Sequence, residues 1–324
     1  MKAMVQTRYG SPDEVLALRD IDTPDVGDDD VLVRVHAAAL HIGDVFAVRG
    51  SPLVMRLVTG PTRPRPGIPG FDLAGEVEAV GGNVTQFRPG DAVFGAGKGT
   101  CAEYASVKQK TLAPKPASLT FEEAAALPTS ALAALHALRD AGKVRPGQTV
   151  LINGAAGGIG VHAVQIAKAF GAEVTGVCGT ANVDLVRSLG ADHVIDYTQQ
   201  DFTRGEQRYD VMLDNVENRP LSEVRRALAP GGTLILNSGT GATGIGMLIR
   251  LAKPFVVGPI VRQRLRRFLS VPKQEDLVVL SALVDAGKLR PVIDRTYPLG
   301  ETLAALRYIE SGHTRGKVVI TLEP

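Results

Sequence analysis

Tryptophan is absent from this chain of 324 residues, and cysteine occurs only as Cys101 and Cys178, without a CxxC pair. Two separated cysteines exclude a scaffold held by several disulfides and a four-cysteine zinc site. An excess of charge is also missing, since 36 Lys and Arg stand against 34 Asp and Glu. The net charge of +2 argues against a dedicated nucleic-acid-binding protein, which carries a marked cationic excess.

Uninterrupted hydrophobic runs are missing as well. The longest uncharged runs, residues 146–167 and 227–249, have the length to span a bilayer, but Gly, Asn, Gln or Ser interrupt both. Each is better explained as a strand, a turn and a buried helix. Residues 1–8 lack the apolar core of a signal peptide. We therefore expect a cytoplasmic protein.

Two different patterns divide the chain. Up to residue 120, short apolar runs at 31–35, 74–80 and 91–94 are separated by Gly, Pro and Asp clusters, which predicts a β-rich domain. From residue 121 a helical stretch to 141 is followed by alternating strands and helices. The strands are predicted at 149–152, 173–177, 193–195, 211–213 and 233–236, with helices at 161–170 and 183–189.

Strands that are apolar on both faces and separated by helices predict an α/β domain with a doubly wound parallel sheet. After Gly287, a helix near 301–311 and a strand at 317–322 are too short to form a third domain. We expect this tail to return to the first domain. The predicted boundaries are 1–120 and 286–324 for the β-rich domain and 121–285 for the parallel-sheet domain.

A glycine-rich turn, NGAAGGIG from Asn153 to Gly160, follows the predicted strand at 149–152. A turn between a strand and a helix is the setting of a dinucleotide-binding fingerprint. Gly157 lets backbone amides approach a pyrophosphate, and Gly160 lets the helix pack closely on the sheet. Ala155 replaces the first glycine of GxGxxG, so the bare pattern is imperfect. A glycine-rich turn without a ligand is the alternative.

The loop after the next strand favours one cofactor over another. NAD sites usually carry an acid in this loop, about 20 residues after the glycine-rich turn, and the acid binds the ribose hydroxyls. Residues 176–182 contain no carboxylate, whereas Thr180 and Asn182 can donate hydrogen bonds to a 2′-phosphate. Arg187 follows on the next helix, either near that phosphate or as an exposed helix charge. We therefore expect NADP(H) rather than NAD(H).

Residues 155–160, followed by Gln165, resemble the AxxGGxGxxxxQ signature of zinc-independent medium-chain dehydrogenases/reductases of the quinone oxidoreductase branch. The chain resembles the reticulon-interacting-protein-like subgroup in particular. Further matches lie at residues 70–77, 90–95, 102–104, 127–128, 189–192, 196–197, 312–313 and 315–320.

The resemblance implies a GroES-like catalytic domain made from both chain ends, with a Rossmann domain between them. It also implies a homodimer that uses NADPH to reduce quinones or α,β-unsaturated carbonyls. It places the pyrophosphate on Ala156, Gly157, Gly158, Ile159 and Gly160, and the adenosine phosphate near Gly179, Thr180, Asn182 and Tyr197. It places Asn215, Ser238 and Gly239 on the nicotinamide side, and Lys317 in the tail motif that closes on the cofactor.

Zinc-dependent relatives carry Gly-His-Glu where this chain has Gly70, Phe71 and Asp72. Phenylalanine cannot bind a metal, and the six histidines show no ligand spacing. We therefore expect no catalytic zinc.

A tyrosine often donates a hydrogen bond to the substrate in quinone oxidoreductases, from an Asn-x-x-Asp-x-Tyr loop. Here the loop reads His41 to Phe46, with Asp44 retained and the tyrosine replaced by Phe46. His41 is the candidate donor, because an imidazole side chain can both donate a hydrogen bond and transfer a proton near neutral pH. A structural histidine is the alternative. Asp44 is expected to order the loop by accepting hydrogen bonds.

Two segments are basic and contain no acid, residues 51–69 and 224–274. The middle of the second, residues 246–257, is largely apolar. The second basic segment has four alternative interpretations. It is a lid over a hydrophobic substrate, a surface weakly associated with anionic lipid, a weak RNA-binding patch, or a solvated helix face near a dimer contact. The alternative function is accordingly a cofactor-binding protein that engages membrane or RNA through residues 246–267.

Overall fold

The computed structural model describes residues 1–65, 67–237 and 262–322. These residues form fifteen strands: β1 (Lys2–Gln6), β2 (Leu16–Asp20), β3 (Asp30–Leu40), β4 (Asp72–Val80), β5 (Ala92–Ala96), β6 (Tyr104–Lys108), β7 (Leu112–Pro114), β8 (Thr149–Asn153), β9 (Glu173–Cys178), β10 (His193–Asp196), β11 (Tyr209–Asp214), β12 (Leu228–Leu236), β13 (Arg264–Arg266), β14 (Ile293–Pro298) and β15 (Lys317–Thr321).

The α-helices of the same residues are α1 (Pro12–Val15), α2 (Ile42–Arg49), α3 (Arg56–Thr59), α4 (Phe121–Ala125), α5 (Pro128–Leu135), α6 (Gly160–Ala169), α7 (Val183–Ser188), α8 (Leu221–Arg226), α9 (Gln274–Asp285) and α10 (Thr302–Glu310). Short 3₁₀ turns lie at Leu53–Met55, Gln109–Thr111, Thr180–Asn182 and Leu299–Glu301, and a π-helical turn at His136–Ala141. The predicted helical stretch 121–141 is therefore divided into α4, α5 and the π-helical turn.

The chain forms two compact units. One contains residues 1–132, 271–287 and 291–324, and the other contains residues 133–270 and 288–290. The sequence placed residues 274–285 with the parallel sheet, whereas α9 packs on β7 and the 3₁₀ turn Gln109–Thr111 of the first unit. Leu277 and Leu280 on α9 are completely buried, which explains why this helix joins the first unit.

The first unit contains a seven-stranded sheet of order β14-β15-β3-β4-β5-β7, with β6 pairing with β3, and the separate ribbon β1-β2. Its pairs are antiparallel, except for β14 with β15. β3 carries Val31, Val33 and Val35 on its buried face. The antiparallel pairing of β15 with β3 sets Val318 opposite Leu40, so both ends of the chain build one sheet.

A buried ion pair fixes this union of the chain ends. Lys317 on β15 donates from Nζ to Asp72 Oδ2 on β4 over 3.1 Å, and the two side chains are 1% and 0% exposed. The other oxygen, Asp72 Oδ1, accepts hydrogen bonds from the amide (2.9 Å) and the hydroxyl of Thr129 at the start of α5. The carboxylate is thus satisfied by three donors, which buried charge requires.

The second unit is built on a six-stranded sheet of order β10-β9-β8-β11-β12-β13, and all of its pairs are parallel. This is the 3-2-1-4-5-6 order of a Rossmann fold. Five of the six strands confirm the sequence prediction. The sixth, β13, was not predicted, because its three residues alternate arginine with Leu265, which packs against the core.

No helix among the described residues is long and apolar enough to span a membrane.

The variant Lys317→Met is expected to lower the free energy of unfolding by about 3–5 kcal/mol, because it leaves the buried Asp72 carboxylate without its cation. The matched control is Lys108→Met, which breaks a half-exposed pair with Asp30 at 2.8 Å and should cost under about 1 kcal/mol. Urea unfolding of both variants measures the difference. Equal losses would show that the buried pair contributes no more than a surface pair.

Candidate functional site

The glycine-rich turn joins β8 to α6 in the second unit. The amides of Gly154 and Ala155 both donate to Val177 O, at 3.1 and 3.0 Å, which ties the turn to β9. A Cβ at Gly160 would collide with Gly154 O, so only glycine lets α6 start this close to the strand. A Cβ at Gly157 would meet only Gly154 O at 3.5 Å, and the turn is therefore open on that side.

Such an open turn at the N-terminus of a ten-residue helix fits a pyrophosphate, which backbone amides and the helix dipole stabilise. Residues 156–160, which the sequence singled out, all lie in it. The buried His162 strengthens the turn through a contact of 2.8 Å between its Nδ1 and Gly158 O. Sequence reasoning missed this role, since it searched the histidines only for metal-ligand spacing.

Gln165, the last residue of the signature, has a structural role. Its Nε2 donates to Val161 O and to Arg290 O, both at 2.9 Å, and its Oε1 accepts from the Arg290 amide at 2.8 Å. The side chain therefore fastens residues 288–290 to α6 within the second unit.

A pocket of about 320 Å³ lies at the carboxyl ends of β9 and β10. It is lined by Thr180, Val183, Val194, Asp196, Gln199 and Gln200. Tyr197, 56% exposed, lies beside it, and its hydroxyl would be 3.1 Å from a Cβ at Gly179. Asn182 Oδ1 is buried and has no hydrogen-bond partner among the described residues. The four residues expected around the adenosine phosphate are therefore neighbours in the structure.

Asp196 is the charged residue among the six that line this pocket, and it was not predicted as a site residue from the sequence. Its Oδ2 accepts from Thr180 Oγ1 at 2.6 Å and from Gln199 Nε2 at 3.1 Å, and its Oδ1 accepts from the amide and hydroxyl of Thr198 at 3.0 and 2.8 Å. The hydrogen bond from Thr180 is the main reason why the pKa of this carboxyl is lowered. The loop after β9 lacks an acid, but the adjacent strand supplies one.

Asn215 lies at the carboxyl end of β11 within a chain of amides. Its Nδ2 donates to Asn153 O at 3.2 Å, and its Oδ1 accepts from Asn237 Nδ2 at 2.9 Å. Asn153 Nδ2 in turn donates to Asp214 Oδ1 at 2.8 Å, and burial raises the pKa of Asp214. Polar residues that directly follow apolar strands were the signal for this group. Ser238 lies outside the described residues.

Gly239, the other residue expected on the nicotinamide side, also lies outside the described residues.

In the first unit, His41 and Asp44 form a capping box at the start of α2. The amide of Gly43 donates to His41 Nδ1 at 2.9 Å, and the amide of His41 donates to Asp44 Oδ2 at 2.8 Å. Because Nδ1 accepts a hydrogen bond, the ring proton of neutral His41 is on Nε2. His41 Nε2 is buried and has no partner among the described residues. It is a donor without an acceptor.

The ring of His41 is held from two sides. Phe71 stacks on it with ring centroids 5.8 Å apart and planes 12° apart. A Cβ at Gly43 would overlap His41 Cε1, so glycine at this position makes room for the ring. Phe71, at the position where zinc-dependent relatives carry histidine, therefore has a packing role here. The described residues contain no group of three His, Cys, Asp or Glu that could hold a metal ion.

Asp44 is completely buried, and burial is the main reason why the pKa of its carboxyl is raised. Its second oxygen, Oδ1, has no hydrogen-bond partner among the described residues. Lys317 was expected on the cofactor, but its ammonium is bound to Asp72 and is inaccessible. The structure therefore favours a structural role for Lys317.

Both cysteines are buried and unpaired. Burial raises the pKa of the Cys101 thiol well above its usual value and that of Cys178 to about 11. Neither thiol is therefore activated as a nucleophile.

The described ends of the second basic segment contain paired arginines. Arg267 forms two hydrogen bonds of 3.0 Å with the carboxylate of Glu217, and both side chains are largely buried. Arg225 donates to Gln263. The apolar middle at 246–257 lies outside the described residues.

Comparison with known proteins assigns the family. Residues 27–117 match the alcohol dehydrogenase GroES-like domain, and residues 189–320 match a family described as zinc-binding dehydrogenase. A 2-methylene-furan-3-one reductase of Solanum lycopersicum is 33% identical over 99% of this chain and 79% of its own length. The mitochondrial NAD(P)H oxidoreductase RTN4IP1 of Mus musculus is 34% identical, over 99% of this chain and 89% of its own length.

Among solved structures, the quinone oxidoreductase from Coxiella burnetii is 31% identical to this chain. The two structures superimpose with a TM-score of 0.84, and the alignment covers 100% of this chain and 99% of that one. These relatives are 31–34% identical and align with nearly the whole chain. The chain belongs to the medium-chain dehydrogenase/reductase superfamily, in its quinone oxidoreductase-like branch.

Proposed function

We propose that this protein is an NADPH-dependent reductase of quinones or α,β-unsaturated carbonyls that works without zinc. The observation that carries the proposal is the open turn at residues 156–160, in the unit that also contains the pocket at the ends of β9 and β10. The names of the relatives support the acceptor class. When bound, a reduced nicotinamide supplies the hydride.

The chain's own contribution begins with His41. Its Nε2–H is a fixed donor, because the Gly43 amide occupies Nδ1 and Phe71 holds the ring plane. A donor held in place stabilises the negative charge that develops on a substrate carbonyl oxygen during reduction. Phe46 replaces the usual tyrosine and has no hydroxyl group to donate. His41 therefore donates the hydrogen bond to the substrate instead. Asp44 positions His41 through its backbone amide.

The second unit binds the cofactor through its backbone turn and the pocket beside it. Thr180 lines that pocket, and Asn182 and Tyr197 directly adjoin its lining residues Val183 and Asp196 in the chain, at the place expected for the adenosine end of the cofactor. Asn215, held by Asn153 and Asn237, offers its polar side chain near the strand ends on the other side of the turn.

The partners we propose are a small quinone or enone substrate and a second copy of the chain in a homodimer. The alternative of a membrane- or RNA-binding protein was predicted from residues 246–267, of which 246–261 lie outside the described residues, and at the described end Arg267 is bound to Glu217. The similarity to oxidoreductases over almost the whole chain favours the enzyme.

Metal-stripped protein, given NADPH or NADH and a panel of quinones, enones and alkenals, tests the activity. We expect acceptor-dependent oxidation of NADPH that a chelator does not change, because the proposed donor is a histidine and not a metal. Binding of NADPH without turnover of any acceptor would contradict the reductase proposal.

His41→Asn is expected to lower kcat about 100-fold, because the side chain still caps α2 while the Nε2–H donor is lost. The KM for NADPH should stay within about twofold, since uniform binding is unchanged. His36→Asn is the matched control, as His36 is a second largely buried ring, stacked on Phe121 at 4.3 Å. Equal effects of the two substitutions would assign His41 a packing role.

Gly43→Ala tests the position of the ring rather than its chemistry. The added Cβ would displace His41, and a shift near 1 Å is expected to lower kcat by about 100-fold without loss of NADPH binding. Gly82→Ala is the control, because a Cβ there meets nothing within 4 Å. Steady-state kinetics and cofactor fluorescence titration measure the two effects. An unchanged kcat would show that the orientation of His41 is irrelevant.

A further inference from the structure

The helical turn after α2 carries three exposed aliphatic side chains. Leu53 is 72% exposed, Val54 is 51% exposed and Leu57 is 83% exposed. The 3₁₀ turn that begins at Leu53 runs directly into α3. Leu57 thus lies four residues after Leu53 and three after Val54, and residues at these spacings are neighbours on a helix surface. The three side chains form one aliphatic face, whereas hydrophobic residues scattered singly over a surface would need no explanation.

The other side of this turn is fixed to the first unit. The Tyr9 hydroxyl donates to Gly60 O at 2.6 Å and lies 2.8 Å from Thr59 Oγ1. The guanidinium carbon of Arg56 lies 4.7 Å from the centroid of the Tyr9 ring, and Arg56 Nε donates to Gly50 O at 3.0 Å. These contacts hold α3 in place, so the exposure of the aliphatic face is part of the folded structure.

Two arginines return to the end of the same helical turn. Gly60 has a φ of 120°, and a Cβ there would collide with Arg63 O, so glycine lets the chain reverse after α3. The amide of Arg65 donates to Thr59 O at 2.6 Å. Both arginines are exposed, and their side chains have no hydrogen-bond or ion-pair partner among the described residues.

No acid in the segment offsets these cations. Residues 51–69 contain three arginines and no Asp or Glu. Other arginines of the first unit, such as Arg88 and Arg307, do have carboxylate partners, Asp91 and Asp13. Two positive charges at the end of α3 are therefore available to an anionic partner of the aliphatic face.

A lipid surface fits this combination better than a protein or a nucleic acid. Residues 51–69 contain no Phe, Tyr or Trp. Protein-binding surfaces depend mostly on aromatic anchors, and single-stranded nucleic acid is held by stacking on aromatic rings. Contacts with a membrane surface instead combine apolar side chains at the acyl boundary with cations on anionic headgroups. Arginine suits a lipid phosphate because its planar guanidinium group donates two parallel hydrogen bonds.

We propose that the aliphatic face of Leu53, Val54 and Leu57, together with Arg63 and Arg65, docks this protein on the surface of an anionic lipid bilayer. The aliphatic side chains enter the boundary between headgroups and acyl chains, and the guanidinium groups bind lipid phosphates. The contact is peripheral and reversible, since one short helical turn makes it. It is separate in the sequence from residues 246–267 and independent of the proposed reductase activity.

Sedimentation of the full chain with lipid vesicles measures this contact. At low salt the chain should bind vesicles of equal parts phosphatidylglycerol and phosphatidylcholine about 25-fold more tightly than pure phosphatidylcholine, since each arginine near an anionic surface contributes about fivefold. Added KCl should reduce the difference by screening the charges. Absence of binding to the anionic vesicles at low salt would overturn the proposal and leave the proposed reductase activity untouched.

Leu57→Gln tests the aliphatic face. It should weaken binding to the anionic vesicles about tenfold, as expected when the burial of one leucine side chain is lost. The matched control is Leu269→Gln, because Leu269 is 84% exposed and lies in another part of the chain. The control should leave binding unchanged. Equal losses, or a loss in the control alone, would overturn the assignment of the contact to this face.

Arg63→Gln combined with Arg65→Gln tests the charges. This double variant should abolish the preference for phosphatidylglycerol, because it removes both unpaired guanidinium groups. The matched control combines Arg88→Gln with Arg204→Gln, which removes the same net charge from side chains that are 87% and 81% exposed. The control should keep the preference. Equal losses of preference would show that only the net charge of the protein matters, against the proposal.

The absence of tryptophan from the chain allows a direct test of insertion. The fluorescence of Leu57→Trp should shift to shorter wavelength on anionic vesicles and be quenched by lipids with brominated acyl chains. Leu269→Trp is the control and should show neither effect. Vesicle binding without a shift in Leu57→Trp would place the contact elsewhere and overturn the proposal. A shift produced by single-stranded RNA and not by vesicles would assign the surface to nucleic acid and overturn it as well.

Discussion

The buried ion pair between Lys317 and Asp72 is the constraint on which the first unit depends. It joins residues 245 apart in the sequence, at a depth where either charge alone would be strongly destabilising. Thr129 completes the shell of the carboxylate. Strands β15 and β4 pair with opposite edges of β3. The ion pair therefore forms only when these three strands have their native order.

Strand β4 also connects the ion pair with the candidate catalytic loop, which contains His41. Asp72 begins β4, and the residue before it, Phe71, stacks on His41. Gly43 and Asp44 fix the ring and the backbone of His41 from the side of α2. Packing therefore leaves His41 with its Nδ1 hydrogen-bonded and its Nε2 without a partner among the described residues. Its tautomer is set by one backbone amide, which is a local and rigid contact.

In the second unit, parallel strands bring polar residues together because their carboxyl ends lie at one edge of the sheet. The glycine turn, the amide chain around Asn215 and the Asp196 pocket all lie at such ends. The chemistry of each differs with the residues that follow each strand. In the proposed function, the open backbone of the glycine turn holds the pyrophosphate, and the amides around Asn215 lie on the side of the nicotinamide ring.

Short-range patterns in the sequence determined the two kinds of sheet, five of the six parallel strands and the glycine turn, since periodicity and glycine content act within a few residues. The resemblance to quinone oxidoreductases predicted roles for His41 and Asp44, and the loop after β9 predicted roles for Thr180 and Asn182. Only the tertiary structure decided that Lys317 binds Asp72, that α9 belongs to the first unit and that Asp196 reaches Thr180. Those contacts depend on which strands are neighbours and in which register, and strand order is decided by the packing of the whole sheet.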